Sequence, residues 1–155
     1  MPTAFDVLAR DHEEVKRVLA ELEIGPAAAA GGNSDQLALR KKMVEQLVIE
    51  GSRHEAVEEM YFWPAVRERL PDGVDLANQA LAQEQEGMEI LARLDKLGPD
   101  DEAFENLLAQ FASRGRAHMA FEETTVWPEL RDALSAAEAD DLGRKLEQGK
   151  ADRNE

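Results

Sequence analysis

The sequence predicts an all-α protein, an up-down-up-down four-helix bundle with a short C-terminal fifth helix. Three observations carry this. Ala, Leu and Glu dominate and aromatics make up only 5% of the residues, a composition rich in strong helix formers. Apolar residues recur at three- and four-residue steps through four long stretches. Gly and Pro gather between those stretches, and short turns between long amphipathic helices make antiparallel neighbours.

The first helix is expected from Ala4 to Glu23, with Thr3 as N-cap and Phe5, Leu8, Val15, Val18, Leu19 and Leu22 on its apolar stripe. The segment GPAAAAGGN, residues 25–33, reads as a flexible connector. Ser34 is placed to cap a second helix running to Leu70, and Pro71, Asp72 and Gly73 form a turn. The third helix spans Val74 to Leu97 and is closed by Gly98 and Pro99. Asp100 caps the fourth, whose first turn carries Asp101 and Glu102 where the helix dipole favours anions, and which runs to Leu134. Ser135 with Glu138 forms a capping box for the fifth helix, to Gln148, and the closing GKADRNE is expected to fray. Residues 1–134 are thus read as the bundle and residues 135–155 as a short appended helix and tail. The steps of three and four alternate too irregularly for a long coiled coil.

Composition excludes several functions. The 155 residues suit one compact unit, and 43% hydrophobic content suffices for a core. With no cysteine, disulfides, thiolate metal sites, iron–sulfur clusters and cysteine nucleophiles are out of reach. A net charge of −15 argues against a nucleic-acid partner. No apolar run is long enough to span a bilayer, so no membrane partner is expected. The start, MPTAFDVLARDHEEV, is too charged for a secretory signal, and a cytoplasmic location is the expectation.

The chemistry lies on an internal repeat. Residues 51–70, GSRHEAVEEMYFWPAVRERL, and residues 115–134, GRAHMAFEETTVWPELRDAL, are identical at nine of 20 positions with an offset of 64. The first and third helices also align, which puts Glu84 in the place of His12. His54 and Glu58, like His118 and Glu122, are four residues apart and project from one helix face, one turn apart. Counting rise along the helices brings His12, His54, Glu58, Glu84, His118 and Glu122 near one layer. An interior layer of three imidazoles and three carboxylates needs cations, because unpaired buried charge is expensive. Glu59 and Glu123 lie about 100° further round and remain candidates. Taken singly, each histidine could equally be a solvated surface residue, and a structural bundle with a decayed site is the plain alternative. Pro64 and Pro128 imply a kink or near-termination at one end, plugged by Trp63 and Trp127. Gly51 and Gly115 suggest close helix approach, and Tyr61, seven residues from His54, is either core or near the metal.

These residues resemble the hemerythrin-like family, the HHE cation-binding domains. The likeness covers about residues 4–134 and is carried by Asp11-His12, by His54-x-x-x-Glu58-Glu59 with Trp63-Pro64, and by His118-x-x-x-Glu122-Glu123 with Trp127-Pro128. The resemblance implies two iron ions in an oxo- or hydroxo-bridged di-iron centre, with Glu58 and Glu122 bridging, His12, His54 and His118 as terminal ligands and Glu84 as the sixth. It implies a small ligand as partner, O2, peroxide or nitric oxide, and admits a peroxide-consuming, catalase- or peroxidase-like activity. The alternative is a non-enzymatic iron-binding or redox- and oxygen-sensing module. The departure is the third helix, which reads Gln83-Glu84-Gln85-Glu86 where the family carries histidine. Either Glu84 coordinates there or a water takes its place. Harder oxygen ligands favour the ferric state, which disfavours reversible O2 carriage. The Glu-x-x-His motif of ferritin-like sites is absent, since Ala9, Gly51 and Gly115 precede the histidines by three. A closed zinc site needs only four ligands, and six inward groups suit two metals better.

Overall fold

The computed structural model describes residues 1–153, in which the first helix, α1 (Ala4–Ile24), begins at a complete capping box of Thr3 and Asp6. A short 3₁₀ turn, Ala28–Ala30, tightens the connector before α2 (Ser34–Val57). The cap of α2 is Asn33 rather than Ser34: its side chain accepts from the Gln36 amide, and Gln36 reaches back to the Asn33 amide. The third bundle helix is α4 (Gly73–Asp95). The fourth begins as α5 (Glu102–Phe121), capped by Asp101 one residue beyond the expected Asp100. In each case the residue whose side chain reaches a free amide of the first turn sets the boundary.

The second and fourth bundle helices are not plain α-helix to their ends. A π turn, Glu58–Phe62, joins α2 to α3 (Trp63–Arg69), and its repeat, Glu122–Val126, joins α5 to α6 (Trp127–Ala133). The Trp63 and Trp127 amides bond five residues back, to the Glu58 and Glu122 carbonyls. Pro64 and Pro128, lacking an N–H and crowding the preceding turn, are accommodated by this wider turn, so the expected kink takes the form of one extra residue per helix. The insertion rotates everything that follows. Phe62 and Trp63 face the core, and Tyr61 packs against it beside Gly149 of the C-terminal helix.

That last helix, α7 (Ala136–Asp152), keeps the Ser135–Glu138 capping box and extends past Gln148 to Asp152, so residues 149–152 are ordered helix where fraying was expected. They are held from outside the helix. A Cβ on Gly149 would lie 3.0 Å from both Tyr61 and Val57, and Lys150 is ion-paired with Asp11 of α1. Higher up, a Cβ on Gly143 would come within 2.4 Å of the Pro2 carbonyl, so α7 docks on α1 closer than alanine would allow. Residues 154 and 155 of the expected tail lie outside the described residues.

The apolar core is in two parts. One, at the α3/α6 end, joins Phe5, Leu8, Phe62, Trp63, Trp127 and Leu146. The other, at the opposite end, joins Leu19, Leu22, Leu47, Leu91, Phe104 and Phe111. Between them lies a polar layer. No helix among the described residues is long and apolar enough to cross a membrane.

Candidate metal centre

The layer between the two cores is built from one position on each bundle helix plus the first residue of each π turn. His12 comes from α1, His54 from α2, Glu84 from α4 and His118 from α5, while Glu58 and Glu122 open the π turns. Glu58 and Glu122 are fully buried, and His12 and Glu84 are 3% and 4% exposed. Ligating atoms of His12, His54 and Glu122 lie within 4.8 Å of one another, as do those of Glu58, Glu84, His118 and Glu122. Glu122 belongs to both groups. Its Oε1 is 3.9 Å from His12 Nε2 and its Oε2 is 2.6 Å from His118 Nε2. Glu58 Oε1 is 2.7 Å from His54 Nε2.

Each histidine is oriented from outside. His54 Nδ1 donates to Asp11 at 2.8 Å, His12 Nδ1 to Glu123 at 2.9 Å, and His118 Nδ1 to the side-chain carbonyl of Gln83 at 2.8 Å. A donating Nδ1 leaves the Nε2 lone pair facing inward, the tautomer a metal requires. Lysines back two of these partners, Lys150 on Asp11 and Lys16 on Glu123. Trp63 Nε1 donates to Glu84 Oε1 at 3.3 Å, and the His12 ring stacks on Trp127 with centroids 4.9 Å apart. The two tryptophans therefore floor this layer as well as filling the bundle end.

The helical repeat extends to these outer partners. The relation that equates His12 with Glu84 equates Asp11 with Gln83, and each holds the histidine of the following helix. The 64-residue offset of the second and fourth helices equates Glu123 with Glu59. Glu123 meets the N–H of His12, but Glu59 would meet the carboxylate of Glu84, which offers no proton, and Glu59 is exposed to solvent. Glu86, the other third-helix carboxylate, points outward to Arg114. Among the residues not singled out in the sequence are Gln83 as a histidine partner, Lys16, Lys150 and Glu55; the repeat would have found Gln83.

The inward lone pairs must be neutralised by protons or by cations. His54 Nε2, His118 Nε2, Glu84 Oε2 and both carboxylate oxygens of Glu58 and of Glu122 are buried without a hydrogen-bond partner. Inward lone pairs of imidazole and carboxylate 2.6–2.7 Å apart repel unless a proton or a metal lies between them. Protonation in the metal-free protein reflects this. Burial and the charges of Glu122 and Glu84 push Glu58 well above the usual carboxylate range. Burial also opposes the charge on Glu122, but its contacts with His118 and Glu58 outweigh that and hold it at about 2. For His118 burial is likewise outweighed by Glu122 and Glu84, raising it to about 10. His54 is raised because the Asp11 bond and Glu122 overcome burial, whereas burial lowers His12. Burial and the charge of Glu84 lift Glu55 to about 8.

A pH dependence follows. His118 is protonated across neutral pH without metal, and Glu58 holds on to its proton above the ordinary carboxylate range, so cations must displace protons to bind. Apparent affinity is expected to fall at least about tenfold per pH unit between about pH 8 and pH 6, with metal lost on further acidification. Competition with a chromophoric chelator across this range measures the slope. A flat profile, or full occupancy at about pH 4.5, contradicts histidine ligation.

A layer of inward imidazoles and carboxylates between two apolar cores, with most of its inward-facing ligand atoms lacking a hydrogen-bond partner, defines a metal-binding helical-bundle protein. The chain matches the family model of the hemerythrin HHE cation binding domain over residues 3–147, and it belongs to that family. Its shared property is cation binding within a helical bundle. A crystal structure of a hemerythrin HHE cation binding domain-containing protein from Mycobacterium kansasii is similar in fold, with a TM-score of 0.82 at 21% identity over 99% of this chain and 88% of that one. No curated protein matched the sequence.

Proposed function

We propose that the protein is a non-haem di-iron protein whose centre binds or reacts with dioxygen, peroxide or nitric oxide. The observation that carries this is Glu122, whose two oxygens face two separate ligand groups. In this reading His12 and His54 would hold one iron, Glu84 and His118 the other, with Glu58 and Glu122 as the carboxylates shared between them. Bound there, two irons would exchange electrons with a small oxidant. The chain supplies the rest. Asp11, Glu123 and Gln83 fix the imidazole orientations, the two apolar cores exclude bulk water, and Trp63 restrains Glu84.

With glutamate where the family carries histidine, the centre has three imidazoles and three carboxylates, a donor set that stabilises ferric over ferrous iron. That favours consumption of oxidant over its reversible carriage. Dithionite-reduced, iron-loaded protein mixed with air or hydrogen peroxide is expected to return to the oxidised spectrum without a stable intermediate spectrum that reverses on deoxygenation. A spectrum that forms with O2 and reverses under argon through several cycles would replace this reading with oxygen carriage. A sensing role without turnover has one observation in its favour: Lys150 links the C-terminal helix to Asp11, and through it to His54. A protein that cycles between oxidation states but consumes no peroxide would support it.

A further inference from the structure

On the side of the polar layer away from the tryptophans lies a cavity of about 80 Å³. His12, His54, Glu84 and His118 form its floor; Asp11, Glu55 and Gln83 also border it, but Val15, Leu47, Met88, Phe111 and Met119 leave its accessible surface mostly apolar. About 10–15 Å³ suffices to hold one water-sized molecule, so the chamber has room for a ligand of a few atoms. Glu84, almost wholly buried, aims an unpartnered Oε2 at this layer. Arg114, bonded to Glu86 across α4 and α5, is the exposed residue of the lining and marks the mouth.

Three of the lining residues are helix-interior glycines from three different helices: Gly51 of α2, Gly87 of α4 and Gly115 of α5. Glycine in a helix interior is a net cost against alanine and is retained for a reason. Backbone conformation is not the reason, since none of the three has positive φ. The close helix approach expected for Gly51 and Gly115 is not the reason either. A Cβ on Gly51 would meet Met88 Sδ at an ordinary 3.6 Å, one on Gly115 would meet Phe111 Cζ at 3.9 Å, and one on Gly87 would meet nothing within 4 Å. Each methyl would fit, and each would occupy chamber space. What the glycines provide is the space itself.

We propose that Gly51, Gly87 and Gly115 set the size and polarity of what reaches the centre, holding open an apolar antechamber for neutral molecules of two heavy atoms, such as dioxygen or nitric oxide. The inference rests on the di-iron reading for its purpose, but the chamber is testable without iron. The test series is wild type, Gly87→Ala, Gly87→Val and Gly87→Leu. With reduced, iron-loaded protein, nitric oxide association followed optically is expected to slow progressively and to drop at least tenfold in Gly87→Leu. Iron per chain should stay unchanged, and the melting temperature of Gly87→Ala should not fall. Unchanged association in Gly87→Leu with iron retained would overturn the proposal. Separately, crystals pressurised with xenon or soaked in bromide probe the cavity alone. Xenon is expected in the wild-type chamber and absent from Gly87→Leu. An empty wild-type chamber, or bromide in it, would overturn the assignment. Xenon binding in a protein that takes up no iron would sink the di-iron reading and leave the chamber standing.

Discussion

Glu122→Ala is expected to abolish metal binding at both positions, the largest effect of any single substitution in the centre. Glu122 is the residue common to the two ligand groups, and it lies with no exposure between His12 and His118. Its removal takes a carboxylate oxygen from each group, leaving His54 only Glu58, His118 only Glu84, and His12 no inward carboxylate. Glu84 belongs to one group only. Glu84→Ala should therefore lose one metal and keep the other, held by His12, His54 and Glu122. Elemental analysis of the two variants purified from the same iron-replete medium separates the cases. Metal content near zero for Glu122→Ala and near one for Glu84→Ala is the expected pair. Two metals retained in Glu122→Ala would refute a shared carboxylate. Outer-shell changes should be milder: Asp11→Ala, which frees His54 to rotate, is expected to weaken affinity about 10- to 100-fold without eliminating binding.

Arg40→Met is expected to be the most destabilising substitution away from the centre. Arg40 is 4% exposed and sits at the opposite end of the bundle from α7. Its guanidinium donates to the Leu22 and Gly25 carbonyls at 2.6 and 2.9 Å, which closes the C-terminus of α1, and it engages both carboxylate oxygens of Glu105 at the start of α5. One side chain thus ties α1, α2 and α5 together. Methionine keeps much of the stem volume but strands the Leu22 carbonyl and leaves Glu105 unpaired. Glu105 is partly exposed, so the cost falls at the lower end for broken buried pairs, about 3 kcal/mol. In a chain of this length that lowers the melting temperature by about 6–12 °C. Lysine should not rescue it, because a single ammonium cannot reproduce the planar fork. A shift below about 2 °C would show that the arginine is incidental.

How far such sites are legible before folding depends on whether their geometry is local. The bundle, and the meeting of the six inward side chains in one layer, were legible because helical periodicity and the offset of 64 residues are properties of the chain itself. His54 and Glu58 share a face because both precede the disturbance made by Pro64, so α-helical spacing holds between them. Beyond Glu58 that spacing fails. The π turns were written in the repeated Trp-Pro, but only as a disruption of unspecified form; of the two readings open for Tyr61, core or near the metal, the structure packs it against the core. Glu123 and Glu59 are equivalent in sequence and differ in the fold, because only one of them has an imidazole N–H opposite it. Glu84, at the position equivalent to His12, presents a carboxylate to the layer and offers no N–H to Glu59. Lys150 was invisible for a different reason: its contact with Asp11 spans 139 residues and depends on Gly149 letting α7 lie against Tyr61.

The most direct test of the account is the iron content of the full chain purified under iron-replete conditions, read together with its absorption spectrum. Two irons per chain, with near-ultraviolet charge-transfer absorption that bleaches on reduction, is the predicted result. One iron per chain without that absorption, or none, would contradict a centre built around the shared Glu122.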